Sequence, residues 1–372
     1  MRPRVRRETV PPEVSIIVPA RNEEACLGRC LDSLTRQKEV VFEVLVVNDG
    51  STDGTRAIAL SFPRVRVVDA PPPPSDWNGK SNALAAGARE AEGEWLLFTD
   101  ADTVHRPGSL ASSLREAKQN GAALVSYSPE QEVHGFWEKA VMPVIFAELA
   151  STYEASEVSN PASEVAAANG QYLLIAREAY EAVGGFAAVG GSLLEDVALA
   201  RAVKQSGRKL YFRFGGDRVG TRMYRSFAQM REGWTKNLAL LFPAARKLAI
   251  LRAAEFLLIA GGAVFTAATL LQRTMALGIL AGVVTAGLYS WFLRRVLRAH
   301  FSWDSNLLAI FGLPLFAYLL TRSRLSYKKG TVMWKGRGYR AGSSSNNTRV
   351  PAVPPQDCRR DAGANPGRSW SI

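Results

Sequence analysis

Short apolar runs alternate with amphipathic stretches through the first half of the chain, whereas longer, nearly uninterrupted apolar runs fill the region from 253 to 320. The first half predicts buried strands at Val14-Ser15-Ile16-Ile17-Val18, Phe42-Glu43-Val44-Leu45-Val46-Val47, 65–68, Trp95-Leu96-Leu97-Phe98 and 123–127. Between them, Leu27, Leu31 and Leu34 recur at helical spacing, with Asn22 as the expected N-cap and acids in the first turn. Further helices are expected over 55–62, capped by Asp53 or Ser51, and over 83–91, after Pro71 to Pro74 have broken all regular structure. Strands alternating with helices at this spacing predict βαβ units: an α/β domain with a mixed, mainly parallel sheet flanked by helices. Such strands open at their C-terminal ends into a crevice, which is where open sheets of this kind bind ligands.

The longer runs predict membrane helices. Residues 253–271 are apolar apart from Glu255, 274–293 are apolar again, and each is about the ~20 residues needed to cross the hydrocarbon core. The short link Gln272-Arg273 makes them a helical hairpin. A third run, 307–320, is shorter and contains Pro314. Basic groups lie before the hairpin (Arg246, Lys247, Arg252), after it (Arg294, Arg295, Arg298) and after the third run (Arg322, Arg324, Lys328, Lys329, Lys335, Arg337). All three groups prefer the cytosol. The third run is therefore expected to re-enter or bend at Pro314, returning the tail to the cytosolic face; the alternative is a plain third span with an external tail. The segment 136–153 is apolar but carries Glu138, Lys139 and Glu148, too charged to span, and is expected to be an interfacial helix. The organisation read from these patterns is a basic segment 1–12, an α/β domain 13–240, a membrane region 241–325, a membrane-proximal segment 326–340 and a disordered tail 341–372. The N-terminus lacks an apolar h-region, so no signal peptide is expected.

Charge sharpens the choice of partner. Forty-six Lys and Arg against 34 Asp and Glu give the chain a net charge of +12, concentrated at Arg2, Arg4, Arg6 and Arg7 and beyond residue 246. Basic residues that flank apolar runs, with no basic stripe interleaved with aromatics, point to a membrane surface and away from nucleic acid. Cys26, Cys30 and Cys358 have no zinc-type spacing and read as thiols in a reducing compartment.

Candidate chemistry gathers where strands end. Trp95-Leu96-Leu97-Phe98-Thr99 stops at Asp100-Ala101-Asp102. Two carboxylates one residue apart can approach one hard divalent cation and leave positions open for phosphate oxygens. The Gly-rich dinucleotide fingerprint and the Walker loop are both missing, so acids and polar groups on the strand-end loops must hold any nucleotide. Asp49 can hold uracil or ribose, and Lys80 can meet a diphosphate. Glu195 and Asp196 stand at the start of a predicted helix over 197–204, either as acids suited to its N-terminus or as a catalytic base.

Four stretches in order, Val18-Pro19-Ala20-Arg21-Asn22-Glu23, Val47-Asn48-Asp49-Gly50-Ser51-Thr52-Asp53, Gly79-Lys80-Ser81-Asn82-Ala83-Leu84 and Asp100-Ala101-Asp102, resemble the ordered motif set of family 2 glycosyltransferases. The resemblance covers roughly residues 12 to 240. It implies the GT-A fold, nucleotide contacts from Pro19, Ala20, Glu23, Asn48, Asp49, Lys80 and Asp100, metal ligation by Asp102 with Asp100, and Mg2+ or Mn2+ as the ion. Asn169-Gly170-Gln171-Tyr172 resembles the strand under the acceptor site, and Leu194-Glu195-Asp196 the motif whose aspartate, here Asp196, removes the acceptor's proton in an inverting transfer, with Glu195 as its neighbour in the substrate site. Residues 229–237 occupy the place of Gln-x-x-Arg-Trp in membrane relatives, but Gly233 replaces the arginine; Arg231 and Lys236 are the candidates to supply its charge, beside Trp234, which can equally be an interfacial anchor. This variant, with Val332-Met333-Trp334-Lys335-Gly336-Arg337, resembles hopanoid-associated and carotenoid-modifying members.

The resemblance and the apolar runs together imply a multi-pass protein of the cell (inner) membrane with a cytoplasmic catalytic domain. It would move a sugar from a UDP-linked donor to a lipid acceptor with a divalent cation. A polyprenyl-phosphate sugar transferase and a non-catalytic nucleotide-sugar-binding scaffold are the alternatives.

Overall fold

The computed structural model of the chain describes residues 11–334 and 337–339. The expectations for the first ten residues, for the tail beyond 340 and for Cys358 lie outside the described residues.

The first half alternates as its pattern predicts. Strands β1 (Val14–Ala20), β2 (Phe42–Asn48), β3 (Val65–Asp69) and β4 (Trp95–Phe98) are separated by helices α1 (Leu27–Thr35), α2 (Thr55–Leu60) and α3 (Gly79–Glu90). A short strand β5 (Thr103–His105) and helix α4 (Ser109–Asn120) follow, then β6 (Leu124–Ser128), β7 (Glu130–Gln131), α5 (Phe136–Thr152) and α6 (Ala155–Ser159). The domain closes with β8 (Leu173–Ala176), α7 (Arg177–Ala182), α8 (Gly185–Ala188), α9 (Glu195–Gln205), β9 (Leu210–Phe214), β10 (Val219–Thr221) and α10 (Phe227–Leu241). Seven strands form one sheet in the order β3-β2-β1-β4-β8-β6-β9. The first four are mutually parallel, and β8 runs antiparallel between β4 and β6. A small second sheet, β5-β10-β7, braces the loop beyond β4.

Strand burial explains the continuous apolar runs. Ile16, Val46 and Leu97 pack with α1 and α4 residues on one face; Ile17, Val47, Leu96 and Phe98 pack with α3, α8 and α9 residues on the other. The ends of elements differ from expectation in one informative place. Asn22 does not cap α1: its backbone is left-handed (φ 54°), its side chain accepts the Thr52 N–H at 2.9 Å, and the helix starts only at Leu27. A bond to the next strand-end loop has taken the side chain that a local cap would use. The N-cap of α2 is Gly54, with no side-chain cap; Asp53, one residue earlier, accepts the Thr55 N–H at 3.0 Å.

Three helical stretches are long and apolar enough to cross a membrane, Ala245–Leu271, Met275–Ala299 and Trp303–Lys329. The first is α11 and the second is α12 (Met275–Val296) running on into a 3-10 turn, Leu297–Ala299; together they make the expected hairpin. The third is broken into α13 (Trp303–Leu308), a 3-10 turn at Ala309–Phe311 and α14 (Gly312–Lys329), so the interruption falls just before Pro314. Half of this stretch is buried against the rest of the protein. Its start is tied to α5 by Lys139–Asp304 (2.7 Å), and its end to α10, where Ser323 donates to the Thr235 carbonyl and Tyr327 to the Lys236 carbonyl (2.7 Å). Gly312 packs directly on the Ala140 carbonyl, a contact that leaves no room for a side chain. A hairpin of β11 (Val332–Trp334) and β12 (Arg337–Tyr339) follows.

The segment 136–153, expected at an interface, is α5, and most of it is interior. Ala140, Val141, Ile145 and Ala147 are fully buried, and only Phe136 and Trp137 at its start are broadly exposed among its large apolar side chains. Its charge is accommodated by pairing: Glu148 meets Arg252 at 2.9 Å and Arg295 at 3.4 Å, and Glu255 meets both arginines at 2.8 Å. This closed quartet of two acids and two arginines joins α5 to the base of the hairpin. A hydrophobic cluster containing Val141, Trp234, Phe242, Phe292 and Phe316 runs from α5 through α10 to α11, α12 and α14.

Candidate active site

Two cavities meet at the C-terminal ends of the parallel strands. The smaller, about 220 Å3, is lined by Pro19, Ala20, Arg21, Glu23, Asp49, Lys80, Asp100, Ala101 and Asp102, with Tyr224, Gly233, Lys236 and Asn237 opposite. The larger, about 640 Å3, holds Glu195 and Asp196 at its polar end and runs between Phe146, Leu149 and Tyr153 of α5 and Phe212 and Phe214 of β9, to Arg298 and His300 beyond α12. Lys80, Asp100, Gln171, Met223, Lys236 and Asn237 line both.

Each wall of the smaller cavity is set by a strand end. The Asp49 N–H donates to the Ala20 carbonyl at 2.9 Å, joining the ends of β1 and β2, and Arg21 donates to the Asp49 carbonyl at 2.9 Å. Asp49 itself is 8% exposed. Asn48 does not line the cavity: it donates to Asp69 at 2.9 Å and accepts the Ser51 N–H at 3.1 Å, so it shapes the loop that presents Asp49. The Asp100-Ala101-Asp102 loop is held from beneath. Thr103 donates to the Asp100 carbonyl at 2.7 Å, and Thr99 donates to the Gln171 carbonyl at 2.8 Å and lies 3.0 Å from His105 Nε2. Burial pushes His105 down to about 3, so it is neutral at physiological pH and acts here only as a hydrogen-bond partner.

Lys80 stands at the first turn of α3, which Asn78 caps by accepting the Ser81 N–H at 2.7 Å. Its Nζ lies 2.7 Å from Asp100 Oδ1 and 3.1 Å from Glu195 Oε1, so one ammonium bridges the two cavities' carboxylates. Burial alone would lower the Lys80 pKa, but the charges of Asp100, Glu195 and Asp196 outweigh it and hold the pKa well above its ordinary value. Burial likewise works against the Glu195 carboxylate, and Lys80 and Lys236 hold it ionised and lowered. Asp196 goes the other way. Burial, with Glu195 beside it, raises Asp196 to about 6 against the opposing pull of Lys80 and of the Gly170 and Val197 N–H groups, each 2.8 Å from a carboxylate oxygen. Two adjacent carboxylates whose surroundings push them apart in acidity, one locked as an anion and one poised near neutrality, are what proton transfer at physiological pH requires. Asp196 is also in the first turn of α9, where a carboxylate suits the helix N-terminus.

Gly170 allows this approach, since a Cβ there would lie 3.1 Å from Lys80 Nζ and 3.4 Å from Asp196 Oδ2. Trp234 is 2% exposed, donates toward Met142 Sδ at 3.4 Å and packs edge-on to Phe146, so it forms a wall of the larger cavity and is not an interfacial anchor. Arg231 lies outside both cavities, its guanidinium 6.0 Å above the Phe227 ring, whereas Lys236 faces into both. The one-turn spacing around Trp234 puts Lys236 and Asn237, with Gly233, on the cavity side, a helical-face argument that could have selected Lys236 over Arg231 from the sequence. Phe146, Tyr153, Phe212 and Phe214 carried no such signal, since their convergence is tertiary.

The donor set at Asp100 and Asp102 fits a hard divalent cation. Both are carboxylates on one strand-end loop, and among the described residues no group of three or more His, Cys, Asp or Glu side chains is arranged to hold an ion. Carboxylate oxygens are the donor type that Mg2+ and Mn2+ prefer, and such ions keep positions for phosphate oxygens.

Residues 15–184 match the family model described as glycosyl transferase family 2. Over 234 residues the chain is 31% identical to the 4,4'-diaponeurosporenoate glycosyltransferases of Staphylococcus aureus strains MRSA252 and USA300. These matches take in 61% of this chain and span 60% of the relatives' length. Among solved structures, the mannosyltransferase PcManGT from Pyrobaculum calidifontis, in complex with GDP-Man and Mn2+, superposes with a TM-score of 0.52 at 19% identity, covering 86% of this chain and 87% of that one. This likeness shows the fold, GT-A.

Proposed function

We propose, from the match of residues 15–184 to the glycosyl transferase family 2 model, that the chain is a membrane-bound inverting glycosyltransferase acting on an amphiphilic acceptor. The observation that carries the reading is the pair of cavities: a small polar one with Asp49, Asp100 and Asp102, and a large, mostly apolar one with Asp196 at its polar end, sharing Lys80 and Lys236. The small cavity takes the nucleotide diphosphate of a UDP-linked sugar. Asp49 holds the nucleoside, and Asp100 and Asp102 would hold Mg2+ or Mn2+. A bound cation would neutralise charge on the departing diphosphate. PcManGT was solved with a nucleotide sugar and Mn2+, which supports that assignment.

In the large cavity the apolar walls bind the acceptor's body and leave its head group at Asp196. Asp196 takes the proton of an attacking hydroxyl, and the Gly170 and Val197 N–H groups fix the carboxylate's orientation. Lys80 and Lys236 place positive charge between the two cavities, where the diphosphate accumulates negative charge as the glycosidic bond breaks. Lys80 also holds Glu195 as an anion, and that anion helps keep Asp196 basic.

The hairpin α11–α12 holds the domain at the cytosolic face of the cell membrane. The third stretch returns to the domain at both ends, which supports a two-span topology over three. A second reading is favoured by Lys236 and Arg298, cations on the walls of the acceptor cavity: the acceptor head is already an anion, a polyprenyl phosphate or a carboxylate. The S. aureus relatives are named for transfer to 4,4'-diaponeurosporenoate, a carboxylate by its name.

Incubating membranes that contain the protein with a panel of labelled nucleotide sugars tests the main reading. Label entering the organic phase only with a divalent cation and only with Asp102 intact supports it. Binding of nucleotide sugar with no transfer to any lipid fraction leaves a non-catalytic scaffold.

A further inference from the structure

An aromatic surface is built from three elements that are distant in sequence. Phe136 and Trp137 at the start of α5, Phe227 at the start of α10, and Trp303, Leu307 and Phe311 along α13 and the turn after it are between 36% and 76% exposed. They are a connected face: the Phe136 ring centroid lies 5.1 Å from Trp137 and 6.2 Å from Phe311, and Trp137 lies 5.4 Å from Phe227. Soluble surfaces rarely gather this much contiguous aromatic area, and doing so costs solubility unless something covers it.

We infer that this face docks into the headgroup and upper acyl region of the phospholipid bilayer, beside the hairpin and without crossing. Three observations select lipid as the occupant. The face continues directly from a span: α12 ends at Val296 and the chain passes through one 3-10 turn to Trp303. The segment that carries it cannot go deeper, because Asp304 is bound to Lys139 and Gly312 is packed on the Ala140 carbonyl, both on α5. A cation borders it, the Arg231 guanidinium lying 6.0 Å from the Phe227 ring. Exposed tryptophan and phenylalanine rings bordered by an arginine are the composition of an interfacial contact. The consequence is a fixed tilt: hairpin and shelf together contact the bilayer at two separated places, so the domain cannot rotate freely about its anchor.

This inference rests on the membrane location proposed above, and the experiment separates the two. The full-length chain with Cys358→Ser is placed in nanodiscs of phosphatidylcholine and phosphatidylglycerol, and single cysteines are introduced as Trp303→Cys, Leu307→Cys, Val284→Cys within the hairpin, and Arg36→Cys just past the end of α1. Each is labelled with an environment-sensitive fluorophore. Burial raises the thiols of Cys26 and Cys30 above their ordinary range, so they react slowly. The expected result is loss of fluorescence at 303 and 307 to a lipid carrying a doxyl quencher near its headgroup, with protection from aqueous iodide, while 36 shows the reverse. Quenching at 284 but iodide access at both 303 and 307 overturns the docking and leaves the membrane reading standing. Iodide access at 284 as well overturns both. Protection of 303 and 307 from both quenchers marks a protein partner or a second copy, and also overturns the inference.

Discussion

Replacing Asp196 by asparagine isolates the proton-transfer role from the shape of the site. The side chain keeps its size, and its amide oxygen can still accept one of the two N–H groups, Gly170 or Val197, that now reach the carboxylate at 2.8 Å. The base is lost. With Asp196 at about 6, roughly nine-tenths of the wild-type enzyme is in the ionised form at neutral pH, and transfer to a hydroxyl acceptor should fall along a single acidic limb near that value. The variant should transfer more slowly by about 10²-fold or more and lose the limb. Stability should move the opposite way. A carboxyl whose folded pKa is raised above 3.8 contributes most below that value and loses its contribution as pH climbs through about 6, so at neutral pH the folded protein carries a penalty for keeping Asp196 ionised. Removing the charge relieves that penalty, which for a carboxyl raised from 3.8 to about 6 is on the order of 3 kcal/mol at most. The lost N–H acceptor offsets about 1 kcal/mol of that. The assay is initial-rate transfer of labelled sugar into the organic phase from pH 5 to 9, with thermal unfolding of the same samples in nanodiscs. A variant that glycosylates a hydroxyl acceptor at the wild-type rate, with the acidic limb still in place, refutes the assignment. Undiminished transfer confined to phosphate or carboxylate acceptors selects the second reading instead.

Asp102→Asn should abolish the dependence of nucleotide-sugar binding on Mn2+ or Mg2+, seen by calorimetric titration with and without chelator; unchanged metal-dependent affinity would count against a cation at this loop. Lys80→Met leaves Asp100 and Glu195 without their shared ammonium and should cost about 2 kcal/mol, less than for a fully buried pair because the Lys80 side chain is 35% exposed. Because Glu195 is lowered by that partner, its contribution is present above its ordinary range and fades as pH falls, so the deficit of the variant should shrink in acid, readable from denaturant midpoints at pH 7 and pH 4. Gly312→Val should force α14 off α5 and lower the unfolding temperature of the whole chain, whereas Gly330→Ala, with open space around it despite a φ of 63°, should cost only about 1 kcal/mol.

How much of this was legible in the sequence depended on whether a residue's role is set locally. The strand ends were readable because a buried parallel strand is a continuous apolar run, and its stop at Asp49 or Asp100 is visible along the chain. The opposed acidity of Glu195 and Asp196 was not, since it comes from tertiary burial, which raises Asp196, and from Lys80 and Lys236, which reach Glu195 from other elements and lower it. Asn22 was assigned to a cap by a local rule and Asn48 to a ligand contact by the family resemblance, but both bond to neighbouring loops. The charges of 136–153 gave no sign that most of the segment is interior, because Arg252 and Arg295, the partners that let Glu148 be buried, belong to a different part of the chain.

The quartet of Glu148, Glu255, Arg252 and Arg295, set beside an apolar cluster common to α5, α10 and the hairpin, makes anchor and catalyst a single mechanical piece. Cutting the chain before Ala245 would not yield a soluble version of the enzyme: it would expose Trp234 and Phe242 and strand the Glu148 carboxylate in an apolar wall of the acceptor cavity's own helix. The hairpin thus doubles as one side of the framework that holds Phe146 and Tyr153 in the wall of the larger cavity, so on the membrane-bound reading a change of bilayer thickness that tilts the hairpin should be felt as a change in turnover.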